Sequence, residues 1–86
     1  MRSLTYQSFW ELYATLPENV RRQARVAYRM FRETPAHPSL RFHPLRGRPG
    51  LWSARVTLSY RAVCRRDGDT VYWFWIGTHA DFDAKF

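Results

Sequence analysis

The hydrophobic repeat of this chain changes period once, near its middle, and no other feature restricts the fold as much. Early in the chain apolar residues recur at helical spacing. Phe9, Leu12, Tyr13 and Leu16 fall at i, i+3, i+4 and i+7, behind a Ser8 and Glu11 pair with capping-box spacing. Pro17 interrupts that face and suits the first turn of a second helix, predicted from about Glu18 to Glu33. Its predicted buried stripe is Val20, Ala24, Ala27, Tyr28 and Phe31, and Arg22, Arg25, Arg29 and Arg32 take the other side. Thr34-Pro35 ends it, because a residue preceding proline is pushed out of the helical region. Beyond that point prolines and glycines punctuate extended runs, predicting strands at Leu51 to Thr57, Tyr60 to Arg65 and Thr70 to Ile76, with a short one ahead of them at Leu40 to His43. Asp67-Gly68-Asp69 is a hairpin signal joining the last two. The predicted class is α+β, with two N-terminal helices packed on a small antiparallel β-sheet.

A chain of 86 residues is expected to form a single domain, residues 1–86, and its 45% hydrophobic and 17% aromatic content is enough to fill one core without staples. The net charge is +7, and thirteen of the fourteen basic residues are arginine. Arginine presents a planar fork that binds phosphate bidentately and stacks on bases, so an arginine-dominated surface points to a polyanion, RNA first among them. The plainer reading is the arginine codon preference of a GC-rich genome. Charge is also segregated: Arg21 to Arg66 contains twelve arginines and one acid, Glu33, which predicts a positive field over one surface. The lone cysteine, Cys64, has no intramolecular partner and is expected to be a buried filler in a reducing compartment. With no signal peptide and no apolar run approaching a bilayer span, a cytoplasmic location without membrane contact is expected.

The chain contains no Walker loop, Gly-rich dinucleotide turn, zinc-ligand spacing or nucleophile elbow, so neither a metal nor a nucleotide cofactor is expected. The polar candidates are Arg41, His43, Arg55, Arg61 and His79, on or beside the predicted strands. If the turn after Thr57 is centred on Leu58, Arg55 lies opposite Arg61 on one face, a like-charged pair that a shared phosphate would stabilise. A two-residue turn would instead shift the register by one and separate them. Pairing across the Asp67-Gly68-Asp69 turn brings Arg61 near Ile76, and so within reach of His79, which can act as general acid or base. Arginine and histidine around one phosphate are what RNA cleavage through the 2′-hydroxyl requires. Each group also has a structural reading. His79 can cap the strand end, Arg55 and Arg61 can pair with Asp81 or Asp83, and the helix arginines can form a solvated face or dock an acidic partner.

Several segments, in their order and spacing, resemble the RelE/ParE superfamily of bacterial type II toxin-antitoxin toxins, particularly its RelE-like branch. They are Leu16-Pro17 opening a basic helix, Pro35 to Phe42, Trp52 to Val56, Tyr60-Arg61-Ala62, and Trp73 to His79. The resemblance implies a microbial-RNase-like fold, metal-independent cleavage of mRNA on the ribosome with inhibition of translation, and neutralisation by a cognate acidic antitoxin protein. By position it makes Arg61 the phosphate-stabilising arginine, Arg55 a basic residue on the preceding strand, and His79 the match to a catalytic Arg or His of relatives. Arg46 and Arg48 fall in a loop that supplies further basic contacts. Arg41, His43 and Phe82, which can stack on a base, complete the expected RNA-binding set. The chain departs from the family where relatives often carry Tyr near Phe82, because Phe82 cannot transfer a proton; His43 or His79 must then supply the general base. Two other functions share the scaffold: a non-catalytic toxin of DNA gyrase, as in the ParE branch, and a catalytically dead module that only binds an antitoxin.

Overall fold

In the computed structural model, which describes residues 1–86, the extended runs of the C-terminal half become the centre of a five-stranded sheet. Its strands are β1 (Arg2–Thr5), β2 (His43–Pro44), β3 (Leu51–Thr57), β4 (Tyr60–Asp67) and β5 (Thr70–Thr78), in the order β1-β5-β4-β3-β2. Three helices accompany it: α1 (Gln7–Ala14), α2 (Glu18–Glu33) and α3 (His79–Lys85). Neighbours from β2 to β5 pair antiparallel, whereas β1 runs parallel to β5. This is the predicted α+β class, with one added strand and one added helix.

Side-chain alternation divides the sheet into two faces. Ala54, Ala62, Cys64, Val71, Trp73 and Ile76 point toward α1 and α2 and join Leu16, Val20, Ala24, Phe31 and Leu40 in the main core. Val63 and Trp75, cross-strand partners that are also buried, lie outside that cluster on the other face. There aromatic rings cover Trp75: Phe82 of α3 lies at 6.3 Å and Phe86, which follows α3, at 5.3 Å between centroids. Cys64 is fully buried, and burial pushes its thiol up to about 12 against the smaller opposing pull of Arg66. An aromatic disulfide reagent is therefore expected to leave the native protein unlabelled and to react stoichiometrically once denaturant is added; labelling under native conditions would contradict this packing. No helix is long and apolar enough to cross a membrane.

Several expectations need correction. The capping box does not form: α1 starts at Gln7 after Tyr6, and the Ser8 hydroxyl donates to the Phe74 carbonyl at 3.0 Å. A long-range bond to β5 has displaced the local cap. Tyr28 is exposed at the edge of α2, its hydroxyl donating to Ser3 Oγ at 3.0 Å, while Val20, Ala24 and Phe31 form the buried stripe. Leu40 to His43 is not a strand. Pro38–Leu40 makes a 3-10 turn that drives Leu40 into the core, Arg41 takes the left-handed conformation at φ 45°, and pairing begins only at His43. β3 has its predicted bounds, and β4 and β5 each run two residues further than expected.

Candidate functional site

The register of the β3–β4 hairpin sets the site. Thr57 pairs with Tyr60, so the turn has two residues, Leu58 and Ser59, which alone would place Arg61 opposite Val56. Val56 bulges instead. The bulge absorbs one residue and restores Arg55 opposite Arg61, the pairing expected from a turn centred on Leu58. A second bulge, at Phe74, shifts β4 against β5 by one, so Arg61 faces Gly77 rather than Ile76. Since Ala54 and Ala62 point into the main core, their neighbours Ser53, Arg55 and Arg61 belong to the opposite face, the one α3 partly covers.

Arg61 is half-buried there. Its Nη1 donates to Ser53 Oγ at 3.2 Å, its guanidinium lies 5.2 Å from the centroid of the Phe82 ring, and its Nε is buried with no hydrogen-bond partner. Burial lowers its pKa; Asp83 opposes that shift, and Arg55 and Arg41 add to it. Neither Arg55 nor Arg61 forms an ion pair with Asp81 or Asp83. Arg55 instead donates from Nε to the Ser39 carbonyl at 3.1 Å. Arg61 thus lies in the field of two other guanidinium groups and forms no ion pair with Asp83, the one carboxylate that acts on it, an arrangement that an anion would stabilise.

Gly77 faces Arg61 for a steric reason. A Cβ at this position would come within 2.7 Å of Trp75 Cζ2 and 2.8 Å of Cη2, so the Trp75 indole occupies the space of a side chain. Gly77→Ala must move that indole, and with it the surface on which Phe82 and Phe86 rest. We expect a loss of about 1–3 kcal/mol in denaturant unfolding and a changed near-UV spectrum; an unaltered midpoint would contradict the contact.

The other expected residues distribute around this centre. His79 begins α3. Its backbone N–H donates to the Ser59 carbonyl at 2.7 Å, and its Nδ1 is 3.3 Å from Asp83 Oδ2, so it does not cap the strand end with its side chain. His43 pairs with Ser53 across β2 and β3 and therefore shares the face of Arg61, with its Nδ1 bonded to the Arg41 carbonyl. Arg48 donates to the Lys85 carbonyl at 2.9 Å and lies 5.7 Å from the Phe86 ring centroid, so it fastens the end of α3. Arg46 is exposed in the loop between β2 and β3, away from these contacts. Ser53 was not among the candidates, although its spacing to Arg55 on the same strand face could have found it. Asp83 was expected as a partner of Arg55 or Arg61, and its contact with His79 required knowing that residues 79–85 are helical.

The comparisons agree with this architecture. A family model described as the ParE-like toxin domain matches residues 18–84. Among solved structures, the chain is similar to a YoeB/ParE toxin from Agrobacterium tumefaciens at 24% identity, with a TM-score of 0.69 over 92% of this chain and 99% of that one. It is also similar to a chain of the RelB-RelE antitoxin-toxin complex of Methanococcus jannaschii, at 14% identity and a TM-score of 0.77 over 96% and 98%. YafQ from E. coli strain BL21(DE3) matches at 16% identity and a TM-score of 0.71 over 95% and 98%. At these identities the likeness is one of fold. No curated protein sequence matches the chain.

Proposed function

The chain belongs to the ParE-like toxin domain family, and on that premise we propose that it is the toxin of a type II toxin-antitoxin system that inhibits translation as a metal-independent, ribosome-dependent mRNA endoribonuclease. The observation that carries this reading is Arg61: half-buried, facing Arg55, with a buried and unpartnered Nε beneath Phe82 and with His79 on the adjoining helix. Its guanidinium is the group to hold the charge that accumulates on a pentavalent phosphorus. In the proposed reaction His79 takes the proton of the 2′-hydroxyl and the 2′-oxygen bonds to phosphorus. The bond from phosphorus to the 5′-oxygen breaks, and that oxygen is protonated from solvent, into which His79 later releases its own proton. A 2′,3′-cyclic phosphate and a 5′-hydroxyl result. Phe82 stacks on a base, and Arg41, His43, Arg46, Arg48 and Arg55 contact the RNA.

The test is to express the protein under tight control and to map mRNA 5′ ends on translated transcripts while scoring chromosomal breaks. Codon-phased cleavage with intact DNA supports the proposal. The ParE-like description of the matching family favours a second reading, a non-catalytic toxin of DNA gyrase, for which DNA breakage with intact mRNA is the expected outcome.

An antitoxin partner follows from the same reading, since similar folds occur in the RelB-RelE complex of Methanococcus jannaschii and the DinJ-YafQ complex of E. coli. A mostly apolar groove of about 440 Å³ between α1, α2 and the sheet is lined by Phe9, Trp10, Tyr13, Tyr28 and Trp73, with Arg25 among its polar residues. Along α2, Arg21, Arg22 and Arg25 gather around Glu18, while Arg29 and Arg32 form no ion pair. An acidic, amphipathic segment suits that surface. Arg29→Glu with Arg32→Glu is expected to weaken antitoxin binding by at least about tenfold at low salt and by less at high salt, read by titration calorimetry.

A further inference from the structure

We propose that Asp83 is a positioning residue for His79, holding the imidazole with its proton on Nδ1 so that Nε2 is free to take the proton of the RNA 2′-hydroxyl. This rests on the nuclease reading above and names the group that prepares its base.

Five contacts carry the proposal. His79 and Asp83 are one turn apart on α3, with Nδ1 and Oδ2 separated by 3.3 Å. A carboxylate can only accept, so a hydrogen bond across this distance requires the neutral imidazole to carry its proton on Nδ1, which leaves the Nε2 lone pair available. The backbone of His79 is tied to the β3–β4 turn through the Ser59 carbonyl at 2.7 Å, and Thr78 Oγ1 caps α3 by accepting from the Asp81 N–H at 3.0 Å. Finally, the imidazole lies 6.0 Å from the ring of Phe82, which in turn lies over the Arg61 guanidinium. The order Asp83, His79, Phe82, Arg61 is therefore a continuous run of contacts from carboxylate to phosphate site.

The position of Asp83 is otherwise unfavourable for the function. It is the one carboxylate whose field reaches Arg61, yet it forms no ion pair with that arginine; its partner is His79. A negative charge so near a phosphate site repels the substrate. Retaining it weakens RNA binding while orienting the base, so binding and chemistry should respond to its removal in opposite directions.

That opposition is the test. Cleavage of a defined mRNA on programmed ribosomes is measured under single-turnover conditions for the full chain and for Asp83→Asn and Asp83→Glu. Asp83→Asn is expected to lower the limiting rate by about 10–100-fold while half-saturation falls or stays unchanged, and Asp83→Glu, which keeps the acceptor, is expected to recover most of the rate. In parallel, ¹⁵N NMR of histidine-labelled protein, with His79 assigned by its loss in His79→Gln, is expected to show the Nδ1–H tautomer in the unmodified chain and its loss in Asp83→Asn. An unchanged limiting rate in Asp83→Asn, a rate and affinity that fall together, or an Nε2–H tautomer in the unmodified chain overturns the proposal alone. Absence of cleavage by the unmodified chain overturns the nuclease reading and this role with it, while the NMR measurement still reports whether the pair exists.

Discussion

Arg61→Ala is expected to lower mRNA cleavage by about 10²–10³-fold, the usual consequence of removing one fixed donor from a developing oxyanion. The guanidinium is held in place before any substrate arrives. Ser53 takes Nη1 and Phe82 covers the plane. Arg61→Lys keeps a charge but loses the fork and is expected to recover less than about a tenth of the lost rate. The same substitutions should not weaken the fold. Arg61 carries a buried Nε without a partner and faces a like-charged residue, so Arg61→Met is expected to raise unfolding stability by about 1 kcal/mol. Loss of cleavage together with gain of stability, from cleavage assays and denaturant curves on one variant, separates a functional arginine from a structural one. Unchanged cleavage in Arg61→Ala would remove the basis of the proposed mechanism.

The largest expected effect on stability comes from Trp73→Ala, at about 3–5 kcal/mol. Trp73 is 4% exposed, packs edge-on against Phe31 at 5.3 Å and near Phe42 at 6.2 Å, and donates from Nε1 to Ser3 Oγ at 3.0 Å. It thereby joins α2, the segment before β2, and β1 to the centre of the sheet. A domain of this size has roughly 5–10 kcal/mol in total, so the substitution removes about a third or more of it and is expected to lower the thermal midpoint by more than about 10 °C. Trp73→Phe keeps the ring contacts and gives up the indole donor, and a cost of about half that of alanine is expected. Equal costs for both variants would mean that the ring contacts contribute little.

Where sequence and structure agree, local pattern was enough. The α2 periodicity, the proline that begins it and the Thr34-Pro35 stop are effects within one or two helical turns, and its bounds follow. β3 and the Gly68 turn between β4 and β5 are equally local, with Gly68 taking the positive φ of 62° that such a turn requires. β1 was missed because it is four residues long and is stabilised by parallel pairing with a strand some 68 positions away, which leaves no periodic mark. α3 was missed because seven residues with Phe82 as their one large apolar member before Lys85 are too few to show a helical period; its stability comes from rings placed on Trp75.

By itself the sequence determined that twelve arginines would crowd between positions 21 and 66 and that a helical pattern through α1 and α2 would give way to hairpin-connected strands, and it made Arg55, Arg61 and His79 the residues to locate. Only the tertiary structure decided how those groups meet. The Val56 bulge set Arg55 opposite Arg61 despite a two-residue turn, the Phe74 bulge brought Gly77 alongside, and α3 folded back to set Phe82 over the guanidinium and Asp83 against His79. The reason is physical: each bulge is a one-residue adjustment selected by packing on both faces of the sheet, and α3 is held by contacts with residues distant in the chain. Neither is encoded in the spacing of the residues that it positions.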